Sequence, residues 1–177
     1  MKKNTIMFLF ALCPLVPGTA RFAYALVLAL ALLWYFAAGI FFRELVRRLN
    51  PGDAGPYIEL VCLAGSATAF MSVMQGILPV LSVSLDLYVY LSAFSYLLLV
   101  SIDIFSGNRR SFLPMLPFLP IMLVFSAIRE IISLGTISLP VPAGLLEFTV
   151  IPGFSGGTPG FLGTAGGALV MLGILAW

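Results

Sequence analysis

Four positions in this chain carry chemistry that its apolar background does not need. Arg129 and Glu130 are adjacent charges inside a hydrophobic stretch. Asp103 ends another, and Cys13 interrupts a third just before Pro14. An ionisable residue in a membrane segment is a functional hypothesis by default. Asp103 has two readings. It can bind a cation beside a broken helix end, where freed carbonyls add oxygen ligands, or it can pair with Arg109 or Arg110 at the cytoplasmic interface. Neighbouring positions on a helix do not face each other, so Arg129 and Glu130 each need a partner of their own. They can snorkel to the outer interface, line a polar path, or hold a partner subunit. Cys13 is either a thiolate ligand near mid-bilayer or a small buried hydrophobe. Cys62 reads as packing, and Glu59 as a charge partner for Arg43 or Arg47.

Several chemistries are excluded or disfavoured. There is no His, so the commonest general base and transition-metal ligand is missing. No Ser/His/Asp set and no HExxH motif is present, which disfavours a self-sufficient hydrolase or protease. Gly156-Gly157 and Gly166-Gly167 lack the Lys-Ser/Thr of a phosphate loop and read as close helix packing. No basic stripe with interleaved aromatics points to nucleic acid. Two cysteines in apolar runs do not make a secreted disulfide framework.

The elements that would position these residues are membrane segments. Hydrophobic residues are 61% of 177 and charged residues 9%, with a mean hydropathy of +1.12. A soluble domain needs ~25% charge to cover its surface, so the outer surface here must face lipid. Six stretches qualify: about Asn4 to Cys13, Ala20 to Leu49, Pro56 to Leu78, Leu87 to Phe105, Ser111 to Leu134 and Phe161 to Trp177. The first is too short to span as a straight helix, which takes ~20 residues, and Pro14, Pro17 and Gly18 interrupt it. Lys2, Lys3 and the apolar core behind them also resemble a signal peptide. A first short membrane segment is the preferred reading, and Leu12 before Cys13 is poor for lipoprotein processing. Pro114, Pro117 and Pro120 should bend the fifth segment. The stretch from Gly135 to Gly160 reads as a long Pro- and Gly-rich connection, and the one ending at Asp86 as a short external link.

With the N-terminus in the cytoplasm, Lys2, Lys3, Arg43, Arg47, Arg48, Arg109 and Arg110 all face inward. Only Arg21 and Arg129 lie toward the other side. By the positive-inside rule both termini are cytoplasmic and the number of spans is even. The expected fold is an all-α, six-segment inner-membrane protein forming one domain over 1–177. Its halves, about 1–80 and 81–177, are weakly alike: Arg43-Glu44 parallels Arg129-Glu130, and Leu63 to Thr68 parallels Phe161 to Gly166. Three spans per half make the repeat inverted, with segments one and four interrupted and a site expected at the repeat interface.

Three stretches carry a family resemblance. Leu12-Cys13-Pro14-Leu15 resembles the "LGLCPL" segment of the six-span membrane subunits of the Rnf complex and of the sodium-translocating NADH:quinone reductase (Nqr). Met74-Gln75 followed by Pro79 is similar to their "MQAYAP", and Ala127 to Ile132 with Gly135-Thr136 resembles "AVREILGSGT". Span number and spacing fit along essentially the whole chain. The resemblance implies pairing with a homologous subunit of opposite membrane orientation, each contributing two cysteines to an intramembrane [2Fe–2S] cluster. It further implies electron transfer between flavin- and iron–sulfur-carrying subunits, coupled to Na⁺ or H⁺ movement. Cys13 matches the first ligand position. The second departs: the family's "VNC" is replaced here by Leu99-Val100-Ser101-Ile102-Asp103, with Ile102 in place of the thiol. Loss of that ligand leaves a second reading open, a small non-redox transporter or assembly subunit of the same fold.

Overall fold

The computed structural model describes residues 17–50, 52–101, 118–151 and 160–176. The first segment with Cys13 lies outside them, as do Ile102, Asp103, Arg109, Arg110, Pro114 and Pro117. The described chain is mostly helical. A 3₁₀ turn, Pro17–Thr19, leads into α1 (Phe22–Leu49); α2 (Gly55–Ile77), α3 (Pro79–Ser101) and α4 (Phe118–Leu134) follow. A hairpin of β1 (Thr136–Val141) and β2 (Gly144–Thr149) comes next, then α5 (Gly160–Gly163) and α6 (Ala165–Ala176). Three helices, Phe22–Leu49, Gly55–Ile77 and Pro79–Leu97, are long and apolar enough to cross a bilayer.

α1 is the hub: it packs against α2, α3, α4 and β1. Leu28, Leu32, Tyr35 and Phe36 of α1 meet Leu63, Met71 and Met74 of α2, Leu81, Leu85 and Val89 of α3, and Met122 of α4 in one continuous core. The opposite faces of these helices remain apolar and exposed, with Tyr57, Val61, Val83 and Leu87 all more than 60% accessible. Such a surface is tolerable only in hydrocarbon. Serines enter the apolar helices at low cost by bonding within their own helix. Ser66 donates to the Leu63 carbonyl at 2.7 Å and Ser92 to the Val89 carbonyl at 2.6 Å, which satisfies the hydroxyl without a partner helix.

Helix ends follow local chemistry. α1 stops at Asn50, whose φ of 46° places it in the left-handed region while its N–H donates to the Val46 carbonyl. Asn tolerates that conformation better than most residues. Glu44 accepts from Arg47 at 2.8 Å and Arg48 at 3.2 Å. Of the two partners expected for Glu59, Arg43 or Arg47, Arg47 pairs within its own helix, because the i+3 and i+4 positions lie within reach on the same surface.

Three further expectations need correction. The fourth segment begins at Pro79, not Leu87, and Leu78 alone separates it from α2. Proline is suited to a first helical turn, so Asp86 sits within a helix. The connection after Gly135 is not irregular, and the fold is not purely helical. Gly135 (φ 68°) ends α4, and an antiparallel hairpin follows with Ser138 opposite Glu147 and Thr136 opposite Thr149. The N–H groups of Val150 and Ile151 both return to the Gly135 carbonyl, which closes the hairpin base on the helix end. Finally, the sixth segment is broken at Thr164, between α5 and α6.

Gly39 marks a tight approach of α1 to α3. A Cβ there would lie 2.0 Å from the Tyr96 hydroxyl and 2.2 Å from Cζ, and Phe36 holds the Tyr96 ring edge-on at 5.0 Å. Gly39→Ala should therefore destabilise the protein by about 1–3 kcal/mol through overpacking, seen as a lowered unfolding temperature in detergent. Adding Tyr96→Ala should make the Gly39→Ala change nearly neutral.

Candidate functional site

The N-terminus of α1 has no cap of its own. Its N-cap residue is Arg21, which makes no side-chain cap bond, although the first N–H groups of a helix need acceptors. The acceptors come from more than a hundred residues away. Glu130 Oε2, on α4, accepts from the Phe22 N–H at 2.6 Å. Ser138 Oγ, on β1, accepts from the Ala23 N–H at 3.3 Å and donates to the same Glu130 Oε2 at 3.1 Å. A carboxylate at this position also meets the positive end of the helix dipole.

Arg129 serves a helix end of the opposite polarity. Its Nη2 donates at 2.8 Å to the carbonyl of Gly163, the last residue of α5, and at 2.9 Å to that of Thr164, the residue at the break between α5 and α6. Its Nη1 lies 3.5 Å from Thr19 Oγ1. Ser126, one turn earlier on α4, donates to the Thr19 carbonyl at 3.1 Å. Cations favour carbonyl-bearing helix ends as anions favour N–H-bearing ones. The approach of α5 to α4 is close: a Cβ on Gly163 would lie 3.2 Å from Ser133 Cβ.

Both charged residues are 0% exposed. They turn inward onto the protein's own backbone, so snorkelling to an interface does not occur. Beside them Arg21 pairs with Glu147 of β2. Because directly opposed residues of an antiparallel pair share a face, Ser138 and Glu147 reach the start of α1 together. Glu130 Oε1 is buried without a hydrogen-bond partner among the described residues, as are Thr136 Oγ1 and, in the helix core, Tyr35 OH and Ser95 Oγ.

Of the residues singled out in the sequence, the structure brings Arg129 and Glu130 into one node. Cys13, Ile102 and Asp103 lie outside the described residues, and Cys62 is a half-buried free cysteine on α2. No group of three His, Cys, Asp or Glu side chains that could hold a metal occurs among the described residues. Sequence reasoning missed Ser138, the break at Thr164 and the Arg21–Glu147 pair. The expectation that Arg21 lies on the side opposite most of the basic residues was a usable signal for the last, and the Gly163-Thr164-Ala165-Gly166-Gly167 run for the break.

Removing one member of a buried charged set leaves its former partners stranded, at ~3–5 kcal/mol, whereas losing one neutral cap costs ~1 kcal/mol. Arg129→Ala should therefore lower thermal stability much more than Ser138→Ala. Equal losses in the two variants, measured by unfolding in detergent, would contradict the capping account.

No protein-family model matches this chain, and no solved structure matches it. It is similar to an uncharacterized protein of Treponema pallidum (strain Nichols), with 28% identity over 179 residues that cover all of this chain and 89% of that protein.

Proposed function

We propose that this chain is a membrane subunit of an Rnf/Nqr-type electron-transfer complex that couples redox chemistry to Na⁺ or H⁺ translocation in a bacterial inner membrane. On this reading its six segments form two inverted halves with both termini in the cytoplasm. Its partners are a homologous subunit of opposite orientation and the flavin- and iron–sulfur-carrying subunits of the complex.

The observation that carries the reading is the placement of the Ala127-to-Thr136 stretch. The residues that give the family likeness there include the buried Arg129–Glu130 pair and Gly135, which together tie α4 to the start of α1, the α5–α6 break and the hairpin. A second stretch of likeness also falls on a joint. The Met74 carbonyl accepts from the Leu78 N–H at 2.7 Å, and Pro79 then opens α3. Interrupted helices whose ends meet buried charges are the setting in which membrane proteins build ion and substrate sites.

A [2Fe–2S] cluster does not fit this chain alone. Ordinary clusters need four thiolates, and the chain has two cysteines, of which only Cys13 matches a family ligand. A cluster would have to take most of its ligands from the partner subunit. The work supported for this chain is to hold helix ends in place and to keep a carboxylate inside the protein.

The replacement at Ile102 favours the second reading, a non-redox transporter or assembly subunit of this fold. Purification of the intact assembly from native membranes separates the two. Copurifying flavoprotein subunits are expected, with an intramembrane iron–sulfur EPR signal that Cys13→Ala alters. Isolation without flavoproteins, together with transport in proteoliposomes lacking electron donors, would overturn the redox reading. Reporter fusions should place both termini in the cytoplasm, and an external C-terminus would refute the six-segment inverted topology.

A further inference from the structure

We infer that a slot between α1 and α2 binds one hydrocarbon chain of a membrane phospholipid, in the leaflet on the hairpin side. The two helices leave a cavity of about 500 Å³ between them, within the range of sites that hold small molecules. Leu26, Leu30 and Trp34 of α1 line one side, Val73 and Ile77 of α2 the other, and Pro140 of β1 stands at the end nearest the hairpin. At the far end Trp34 meets Phe70 of α2, with ring centroids 6.2 Å apart. Leu30, Val73 and Ile77 are each more than half exposed, so the slot opens sideways from two helices that are long and apolar enough to cross a bilayer.

The lining decides the occupant. The Trp34 indole N–H is its one side-chain donor among the described residues, and it donates to the Ser66 carbonyl at 3.2 Å. Only apolar surface is left for a ligand. A polar ring or head group would find no hydrogen-bond partner there, and burying one unpaired is costly. A partner helix does not fit either. From Leu26 to Trp34 the slot runs ~12 Å at 1.5 Å per residue, against the ~30 Å that a spanning helix needs, and Pro140 lies across its end. Helices also approach one another closely through small residues, and the lining has no Gly, Ala or Ser among the described residues. A flexible alkyl chain enters from the side and restores the dispersion contacts that an unfilled slot forfeits. Seated there, it packs against Pro140, two residues from Ser138 on the same face of β1, and so braces the strand that caps α1.

The site needs only the membrane placement of α1 and α2 and is independent of the redox reading. The test uses the full-length protein in dodecyl maltoside. Its two tryptophans are Trp34 and Trp177, so Trp177→Phe leaves Trp34 as the sole reporter. Phosphatidylcholine brominated along its chains should quench Trp34 fluorescence saturably, levelling off at about one lipid per protein, and should raise the unfolding temperature by about 2–4 °C. Phosphatidylglycerol with the same chains should give the same curve, because the head group stays outside the slot. Val73→Phe and Leu30→Phe each fill the slot from an exposed position and should abolish the saturable phase. Val83→Phe, on the exposed face of α3, should leave it intact. Quenching that only tracks the lipid-to-detergent ratio, or that both slot-filling variants leave unchanged, overturns the site. So do a Trp34 that brominated lipid never reaches, as a protein segment seated in the slot would give, and a requirement for one particular head group.

Discussion

Two adjacent side chains of opposite charge hold the ends of two helices that cannot cap themselves. A helix terminus inside an apolar protein presents several backbone groups that water cannot reach. Glu130 accepts from the Phe22 N–H at the start of α1, and Arg129 donates to the Gly163 and Thr164 carbonyls at the break between α5 and α6. Consecutive residues on a helix diverge by about 100°, so one turn of α4 can address two different neighbours at once. The hairpin, the 3₁₀ turn and the broken sixth segment all converge on this place because each has a polar backbone end to satisfy.

The rest of the fold obeys a simpler rule. α1 is enclosed by α2, α3 and α4, while the outward faces stay apolar because their medium is hydrocarbon. Association in such a medium relies on close packing rather than on expulsion of water. Hence Gly39 receives the Tyr96 hydroxyl, and the buried serines Ser66 and Ser92 bond within their own helices. The charged node differs in kind: its two members are costly to bury and are retained where the backbone is interrupted, which is where ionisable groups in membrane proteins tend to serve function.

Much of this was legible before any coordinates. Composition and run length located the ends of α1 and α2 within a few residues, since ~20 apolar residues in a row admit few alternatives. The hairpin was obscured because its prolines and glycines resemble those of a connection, although Thr136-Ile137-Ser138-Leu139 alternates with the period of a strand. The start of α3 was missed because Pro79 was taken to prolong a link, when proline also suits a first helical turn.

By itself, the sequence determined that the chain is an apolar, helical one made for a bilayer, and that Arg129 and Glu130 each require a partner. Both follow from local quantities: composition, run length and the angle between neighbouring residues. Which partners they find, what caps α1, and where the sixth segment breaks were decided only by the tertiary structure. Those bonds join Glu130 to Phe22 and Arg129 to Gly163, residues far apart along the chain, and no local pattern specifies a distance that folding alone brings below 3 Å.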